Sequence, residues 1–377
     1  MGELNVAIVG CGQIVTHHVT ALAGAEGYHV MALCDPSADR RKIIQELCVE
    51  RNVASAANPP AEFSTLEELL EHPETAKQCQ VIFIAVPHDL HVPIASKALQ
   101  SGKHVVLEKP LAPTIEGCLE LQAVSKTSEG MLIVAEQSPY WQEVVKAKEL
   151  LDDGSIGEVV TAASYFYESM RDNMTSGLDE SGGLGWRCSL ARAGGGIVID
   201  GGLHWLRPLR ELCGDIDSVV GVIQNAEPGI GLEGETLAHA ILKIKREGPN
   251  PLLATYSANN VHTAPMAHDT CPYIRLTGTK GELVVAGTGL FPDGGGGLRM
   301  YNDEYPMGKD LFPKDRQGGF FLGFQGLWAT VTDILNTQDR CAAEKTVLDA
   351  AKDVAVALAI YKSAKSGRWE QCELFEN

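Results

Sequence analysis

The chain has 377 residues, 45% of them hydrophobic, and a formal net charge of −18 at pH 7. The length favours two domains, and the hydrophobic content is enough for packed cores. The strong negative charge disfavours nucleic acid and anionic membrane surfaces as partners. We see neither an apolar run near the roughly 18 residues that span a bilayer nor a cationic, apolar leader, so we expect no membrane association.

Ten cysteines are scattered along the chain without a C-x-x-C pair, so we predict no metal site. Scattered cysteines inside apolar runs are typical of a reducing compartment, and we expect a cytoplasmic protein. His88 and His91 have a spacing that two metal ligands could use. Because no third ligand lies nearby in the sequence, we interpret them as part of a loop beside a cofactor.

The first part of the chain alternates short apolar strands with helices. Residues 64–70 are predicted to form a short helix that begins with a capping box of Ser64 and Glu67. Such alternation predicts a doubly wound parallel sheet, which we assign to an N-terminal Rossmann domain over residues 1–138. The predicted strands are 5–9, 30–34, 81–86, 104–107 and 131–135.

The remainder, residues 139–377, is predicted to form an α+β domain with a large, open, mostly antiparallel sheet. We expect its C-terminal helix, over 342–363, to be able to pack back on the first domain. Two glycine-rich segments, 168–187 and 286–297, are predicted to be surface connections, and the first is also a candidate lid. The predicted strands are 159–167, 216–223, 236–245, 252–258, 273–276 and 282–285, and further helices are predicted at 143–151 and 202–212.

A glycine turn follows the first strand. Gly10 permits the tight turn, and Gly12 lets the backbone approach a pyrophosphate at the N-terminus of the next helix. Asp35 ends the second strand, 25 residues beyond Gly10, where a ribose-binding carboxylate is expected. Val15 takes the place of the usual third glycine. The pattern therefore predicts a dinucleotide site.

The choice between NAD and NADP depends on the charges near the second strand. The Asp35 carboxylate would accept a hydrogen bond from a ribose 2′-hydroxyl and repel a 2′-phosphate, which favours NAD. Arg40 and Arg41 could instead recruit that phosphate, or simply lie on a solvated helix face. We therefore predict NAD and leave NADP open.

Two further segments carry groups suited to acid–base chemistry. Lys109 follows a parallel strand, at the sheet edge where ligands bind, although a surface lysine is the simpler interpretation of such a residue. If residues 200–212 are helical, Asp200 and His204 share one face, and the carboxylate can orient the imidazole as a general base. A helix-start aspartate near an ordinary histidine is the alternative.

Together these segments resemble the glucose–fructose oxidoreductase and inositol dehydrogenase family (Gfo/Idh/MocA) over nearly the whole chain. Arg207 departs from the family pattern, since many members carry an acid at that position. The segments that carry the resemblance are Gly10-Cys11-Gly12 with His18, Ala85-Val86-Pro87 with His91, residues 102–111 with Glu108-Lys109-Pro110, residues 194–204, residues 276–283 and residues 361–369.

The resemblance implies an NAD(P)-dependent oxidoreductase that acts on a secondary alcohol of a sugar, cyclitol or related polyol. It also implies a homodimer or homotetramer that pairs through the open sheet. An NAD-using glycoside hydrolase, a diol dehydrogenase and a non-catalytic NAD-binding regulator are the alternatives. The implied catalytic residues are Lys109, Asp200 and His204; the expected cofactor contacts are Gly10, Gly12, Gln13, Ile14, Asp35, Pro87, His91, Glu108, Lys109 and Gln137; and the expected substrate contacts are Lys109, Tyr165, Trp186, Arg187, Asp200 and His204.

Overall fold

The computed structural model describes residues 3–25, 27–169, 185–226, 231–246, 250–261, 273–290, 296–313 and 319–372. The chain divides into two compact units. The first comprises Met1–Glu136 and Phe324–Ala351, and the second comprises Gln137–Gly323 and Lys352–Asn377.

The first unit is built on a six-stranded parallel sheet in the order β3-β2-β1-β4-β5-β6. This is the strand order of a dinucleotide-binding sheet, with its topological switch point between β1 and β4, and it confirms the predicted doubly wound sheet. The strands are β1 Leu4–Val9, β2 Tyr28–Cys34, β3 Ala61–Phe63, β4 Val81–Ile84, β5 His104–Glu108 and β6 Leu132–Ala135. The helices between them are α1 Val15–Gly24, α2 Ala38–Glu50, α3 Leu66–Glu71, α4 Pro73–Gln78, α5 His91–Gln100 and α6 Ile115–Thr127.

The central strands of this sheet are apolar between their ends because helices cover both faces. All four residues of β4 are fully buried, as are Val105, Val106 and Leu107 of β5. Continuous apolar runs of this kind are typical of buried parallel strands. They leave polar groups only where the strands end.

The cap of α3 lies one residue later than predicted. Thr65, not Ser64, accepts the capping hydrogen bond, from the Glu68 N–H at 3.2 Å. The Glu68 carboxylate in turn accepts from the Ser64 N–H at 2.8 Å. The predicted pair of Ser64 and Glu67 is therefore wrong, because threonine caps a helix as well as serine does and the sequence offers both in succession.

The second unit holds a nine-stranded sheet in the order β14-β13-β12-β11-β7-β10-β9-β8-β15. Among the strands that the structure describes in this unit, only β7 and β10 pair in parallel, so the prediction of a mostly antiparallel sheet is confirmed. The strands are β7 Val159–Ser169, β8 Ile216–Gln224, β9 Leu237–Ile244, β10 Leu252–Val261, β11 Tyr273–Gly278, β12 Glu282–Leu290, β13 Gly296–Tyr301, β14 Lys309–Phe312 and β15 Glu370–Gln371. The later helices of the chain are α7 Gln142–Asp152, α8 Leu190–Ala193, α9 Leu203–Cys213, α10 Gly319–Thr337 and α11 Arg340–Ser366.

One face of the nine-stranded sheet packs against α9. Along β7, the Ser164 hydroxyl donates to the Trp205 carbonyl at 3.0 Å, and the Phe166 ring stacks on the Trp205 ring. Along β9, residues alternate between buried and more exposed, with Ile241 44% exposed. Because side chains alternate across a strand, the opposite face of this part of the sheet is open.

Three predictions about the connections have different outcomes. The segment 286–297 is not a simple loop, because β12 continues to Leu290 and β13 begins at Gly296. The candidate lid, 168–187, falls mainly on residues 170–184, which lie outside the described part of the chain. The helix α10 was not predicted. No helix within the described ranges is both long enough and apolar enough to cross a membrane.

Candidate active site

The turn after β1 has the shape that a dinucleotide requires. Gly10 has a φ of +89°, and a Cβ there would collide with the Ala85 carbonyl at the end of β4. At Gly12, by contrast, a Cβ would meet nothing within 4 Å. Gly10 is therefore needed for the turn itself, and Gly12 borders open space.

The N-terminus of α1 presents unpartnered donors to that space. Within the described part of the chain, the N–H groups of Gly12, Gln13 and Ile14 donate no hydrogen bond. The first turn of α1 holds no acidic residue, and its N-cap residue makes no side-chain cap. Free N–H groups at the positive end of a helix dipole bind anions, so these residues fit a pyrophosphate.

Asp35 holds the glycine turn in place. One carboxylate oxygen accepts from the Cys11 N–H at 2.8 Å and the other from the Ser37 N–H at 2.9 Å. Asp35 is partly exposed at the end of β2. Since each carboxylate oxygen has a second lone pair, both remain able to accept from a ribose hydroxyl.

The two arginines of α2 differ in their surroundings. Arg41 is tied down, since its Nε donates to Glu62 at 2.8 Å and its guanidinium also donates to the Asp35 carbonyl at 2.5 Å. Arg40 is exposed and its N–H donates to the capping Ser37. The sequence reasoning did not find Glu62, which sits on the short strand β3 and is brought to Arg41 only by the sheet.

A buried chain of hydrogen bonds leads to Lys109. The Trp328 indole N–H donates to His18 Nδ1 at 3.0 Å, and His18 Nε2 lies 2.6 Å from Glu108 Oε1. The other Glu108 oxygen accepts from the Lys109 backbone N–H at 3.1 Å. Glu108 is buried, so its contribution is to fix the backbone that carries the partly exposed Lys109.

His91 links two strand ends from behind. Its ring is fully buried, with Nδ1 2.7 Å from the Pro110 carbonyl and Nε2 3.0 Å from the Val86 carbonyl. Burial lowers the pKa of His91, and a neutral ring donates to only one of the two carbonyls. Each ring nitrogen faces a carbonyl oxygen, so His91 positions the loops around Pro87 and Lys109.

Gln137 carries an unsatisfied donor. Its side chain is 1% exposed, and its amide oxygen accepts from the Trp141 indole N–H. Its Nε2 is buried without a partner among the described residues. An orphaned buried amide donor is costly, and a bound ligand that accepts from it would remove that cost.

Asp200 and His204 lie on two successive elements of the second unit. Residues 197–202 form turns, and α9 begins only at Leu203. The condition that 200–212 be helical is therefore not met, because Gly201 and Gly202 disfavour helix. The partly exposed His204 ring lies edge-on to the Phe320 ring, with centroids 6.4 Å apart.

Of the predicted substrate residues, Arg187 contacts Asp200 and Trp186 contacts Arg187. Arg187 donates its Nε to Asp200 Oδ2 at 2.7 Å, and its guanidinium carbon lies 4.3 Å from the centroid of the Trp186 ring. The Arg187 side chain is about half exposed. The structure thus gathers an exposed cation, an aromatic face and a carboxylate into one polar cluster.

Tyr165 lies elsewhere. Its ring stacks on Tyr167 and packs at a tilt against Tyr273 on the open face of the sheet, whereas its neighbours Ser164 and Phe166 contact α9. A one-residue step along a strand reverses the side-chain direction. Tyr165 therefore does not belong to the site that contains His204, and its predicted role as a substrate contact is not kept.

Arg207 points into the interior. It pairs with Glu211 at 2.8 Å and with Asp353 at 3.4 Å, and its side chain is 9% exposed. Its neighbour Arg210 shares Asp353 and also pairs with Asp215 at 2.7 Å. The departure at Arg207 thus builds a buried ion-pair network. Within the described residues, no cluster of His, Cys, Asp and Glu side chains could hold a metal ion.

A parallel sheet of this strand order, with a glycine turn at the N-terminus of its first helix, is the architecture of a dinucleotide-binding domain of the kind that nicotinamide-dependent oxidoreductases use. The family models agree. Residues 4–136 match the oxidoreductase family with the NAD-binding Rossmann fold, and residues 144–284 match the Gfo/Idh/MocA C-terminal domain. The chain belongs to the Gfo/Idh/MocA family, which confirms the resemblance, and its cofactor domain is an NAD-binding one.

Named relatives include a levoglucosan dehydrogenase and a glycosyl hydrolase family 109 protein. The chain is 28% identical over 301 residues to a levoglucosan dehydrogenase of Pseudarthrobacter phenanthrenivorans, covering 75% of this chain and 74% of that protein. It is 25% identical over 302 residues to a glycosyl hydrolase family 109 protein of Saccharopolyspora erythraea, covering 77% of this chain and 62% of that protein.

Solved structures share the fold. A levoglucosan dehydrogenase in complex with NADH superposes with a TM-score of 0.74 at 18% identity, covering 99% of this chain and all of that one. The WlbA dehydrogenase of Bordetella pertussis, in complex with NADH and UDP-GlcNAcA, gives a TM-score of 0.74 at 19% identity, with the same coverage.

Proposed function

We propose that the protein is an NAD-dependent dehydrogenase that oxidises a secondary alcohol of a sugar, cyclitol or related polyol. The observation that carries the proposal is the set of N–H groups at Gly12, Gln13 and Ile14 that donate no hydrogen bond within the described residues, since they suit an anion in the same sheet whose β5 ends at Glu108, directly before Lys109. Family membership supports the redox chemistry, and the relative named for levoglucosan supports a sugar-like substrate.

Each catalytic residue has a role in the proposed reaction. The nicotinamide ring, when bound, supplies the hydride acceptor. Lys109 would donate a hydrogen bond to the substrate hydroxyl and stabilise negative charge on its oxygen. His204 would take the hydroxyl proton on an imidazole nitrogen, and Asp200 would hold the imidazole in the accepting tautomer. Gly12, Gln13, Ile14 and Asp35 would hold the dinucleotide, and Gln137 would offer its unpaired amide N–H.

The arrangement around Asp35 favours NAD over NADP. The Asp35 carboxylate faces the end of β2, and the nearest arginine, Arg41, is occupied by Glu62 and by the Asp35 carbonyl. A 2′-phosphate would thus be repelled by the Asp35 carboxylate, while Arg41 remains bonded to its protein partners and does not neutralise the phosphate. Dissociation constants for NADH and NADPH, measured by nucleotide fluorescence, test this preference directly.

The central test is NAD reduction across a panel of levoglucosan, inositol, glucose and gluconate. We expect Lys109→Ala and His204→Ala to lower turnover about 10²- to 10⁴-fold, the usual value of an acid–base group. The dissociation constant of NADH should change little. Lys97→Ala is the control, because Lys97 pairs with Glu67 on the surface of the first unit. Full turnover in both active-site variants would refute the assignment.

A hydrolase is the second candidate, since one relative is named a glycosyl hydrolase family 109 protein. Such an enzyme would release a product from an aryl glycoside without net reduction of NAD. Net NADH formation from a simple polyol would exclude it. NADH formation would likewise exclude a non-catalytic regulator, and a diol dehydrogenase would be recognised by activity on short diols in the same assay.

We also propose that the protein pairs through the open face of its nine-stranded sheet, as a homodimer or homotetramer. Val222, Ile241 and Leu253 are 64%, 44% and 49% exposed there, and the first two line a hollow of about 490 Å³. Burying such an apolar face stabilises an assembly. The cytoplasm remains the proposed location, supported by nine cysteines of the described residues that form no disulfide.

A further inference from the structure

The segment that precedes Asp200 is held by one buried carboxylate. Glu235, which is 7% exposed, accepts from the Gly196 N–H at 2.9 Å on one oxygen and from the Val198 N–H at 3.0 Å on the other. Its backbone carbonyl accepts from the Ile197 N–H at 3.0 Å. Three successive N–H groups of the turn are therefore bonded to a single residue.

Tyr361, on α11, completes this arrangement. Its hydroxyl donates to Glu235 Oε1 at 2.9 Å and accepts from the Ile199 N–H at 3.2 Å. Burial and the neighbouring Glu235 raise the pKa of Tyr361 well above its usual value, so the hydroxyl keeps its proton and remains a donor. All four N–H groups from 196 to 199 are thus fixed immediately before Asp200.

The glycines of this segment are explained by the same two side chains. A Cβ at Gly195 would run into the Tyr361 hydroxyl and ring, and a Cβ at Gly196 would run into the Glu235 backbone. Glycine is therefore required because the buried pair approaches the backbone so closely. Burial raises the pKa of Glu235, and its three donors oppose that effect.

A second buried tyrosine behaves differently. Tyr256 is 1% exposed and lies close to Gly202, but its hydroxyl has no hydrogen-bond partner among the residues that the structure describes. Tyr256 and Tyr361 therefore share the same buried neighbourhood, while only Tyr361 bonds to the turn. This difference provides a matched pair for an experiment.

We propose that Glu235 and Tyr361 are positioning residues for the reaction, which fix residues 196–199 so that Asp200 and the His204 that follows are held in a reactive orientation. The proposal rests on the proposed function, in which His204 is the general base. Preorganised side chains of this kind avoid a cost at the moment of reaction, and a displacement of about 1 Å costs up to about 10²-fold in rate.

The test compares Tyr361→Phe with Tyr256→Phe, each of which removes one buried hydroxyl and keeps the ring. We expect Tyr361→Phe to lower kcat about 10- to 100-fold, with little change in the NADH dissociation constant. Tyr256→Phe should keep wild-type kcat, since its hydroxyl bonds to none of the residues that the structure describes. Hydrogen exchange of peptides that cover 194–204 should be faster in Tyr361→Phe alone, and this measurement needs no substrate.

A double-mutant cycle separates positioning from a merely structural role. The alcohol is levoglucosan or the panel member that gives the fastest NAD reduction. If Tyr361 acts through the general base, adding Tyr361→Phe to His204→Asn should cause little further loss. Glu235→Gln is the second variant, because its amide places an N–H against one of the donors of the turn. It should reproduce the loss in kcat and the faster exchange if Tyr361→Phe does not fold.

The outcomes separate this inference from the proposed function. Full activity of His204→Asn would refute the proposed base and with it the whole scheme. A collapse in His204→Asn, together with equal kcat and equal exchange in the two Tyr→Phe variants, would overturn only the positioning role. Additive losses in the double mutant would also overturn it, because they would mean that Tyr361 acts independently of His204.

Discussion

Trp328 donates its indole N–H to Nδ1 of His18 at 3.0 Å, and this contact fixes the tautomer of the imidazole. An indole nitrogen can only donate, so Nδ1 must carry the lone pair. The proton of the neutral ring therefore lies on Nε2, where it is donated to Glu108 at 2.6 Å. Glu108 is thus left as a pure acceptor between His18 and the Lys109 N–H.

Glu108→Gln should therefore destabilise the first unit. A glutamine presents one oxygen and one NH₂ group where two donors converge, so one donor loses its acceptor. We expect a loss of about 1–3 kcal/mol in the free energy of unfolding, measured by urea denaturation. Glu67→Gln is the control, since its pair with Lys97 is half exposed and worth about 0–1 kcal/mol. Equal urea midpoints for the two variants would contradict the role of Glu108 as an acceptor for both His18 and the Lys109 N–H.

The sequence could place Lys109 and the glycine turn because both depend on local patterns. It could not place Trp328, which lies 310 residues from its partner His18 on a helix that was not predicted. The sequence of α10 contains Gly319, Gly323 and several β-branched residues, so local propensity argues against a helix and tertiary packing decides. Contacts between residues so far apart in the sequence are set by the tertiary fold and not by local patterns.

Tyr165 was predicted to contact the substrate, but it lies on the open face of the sheet for a different reason. Tyr165, Phe166 and Tyr167 are consecutive on β7, so aromatic rings face both sides of the sheet, and the sequence does not say which face meets α9. Phe166 was available for the core, and the sheet register turned Tyr165 to the open side. By contrast, Trp186 and Arg187 were predicted as substrate contacts from their position in a polar segment, and the structure brings Arg187 to Asp200.

Glu62 is expected to limit the binding of NADPH. It holds Arg41 by a 2.8 Å ion pair, and both lie near the Asp35 end of β2. Glu62→Ala removes that restraint and one negative charge. We expect the dissociation constant of NADPH to fall about 3- to 10-fold, while that of NADH changes less than about twofold. The double variant Glu62→Ala with Arg41→Ala should lose the gain, and retention of the gain would show that Arg41 is not responsible.

His104 is expected to make the first unit sensitive to acid. Its Nδ1 accepts from the Met131 N–H at 3.2 Å, and burial, with a contribution from the charge of Arg340, lowers the pKa of His104 below 6.5. The unfolded chain then binds more protons than the folded one. This contribution to stability is complete above pH 6.5 and is lost as the pH falls through the lowered folded-state value.

His104→Asn tests this expectation, because asparagine offers an acceptor oxygen and does not titrate. The melting temperature of the wild type should fall between about pH 7.5 and 5.5, and the variant should fall less. Burial also lowers the pKa of His91, so part of the pH dependence should persist in the variant. Identical pH dependence in the two proteins would assign the acid sensitivity to other groups.

Ile241 should be important for assembly. It is 44% exposed on the open face of the nine-stranded sheet, between Val220 and Thr255 on the neighbouring strands. Ile241→Glu would place a carboxylate in the proposed interface, and burying an unpaired charge is strongly unfavourable. Sedimentation velocity should show a smaller species for this variant. Val145→Glu, an exposed site on α7, is the control and should leave the wild-type assembly intact.

Arg187 should determine how the alcohol is held. It donates to Asp200 at 2.7 Å, and its side chain is about half exposed, so it can reach a ligand without leaving Trp186. Arg187→Ala removes the partner of the carboxylate and one set of donors that a hydroxyl or carboxyl group of the substrate could use. We expect KM for the alcohol to rise about 10-fold, the value of one hydrogen bond to a charged group. The dissociation constant of NADH should stay constant.

Arg192→Ala, at an exposed position on α8, is the matched control. An unchanged KM in Arg187→Ala would place the substrate away from this cluster, whereas a loss confined to kcat would assign Arg187 to the orientation of Asp200.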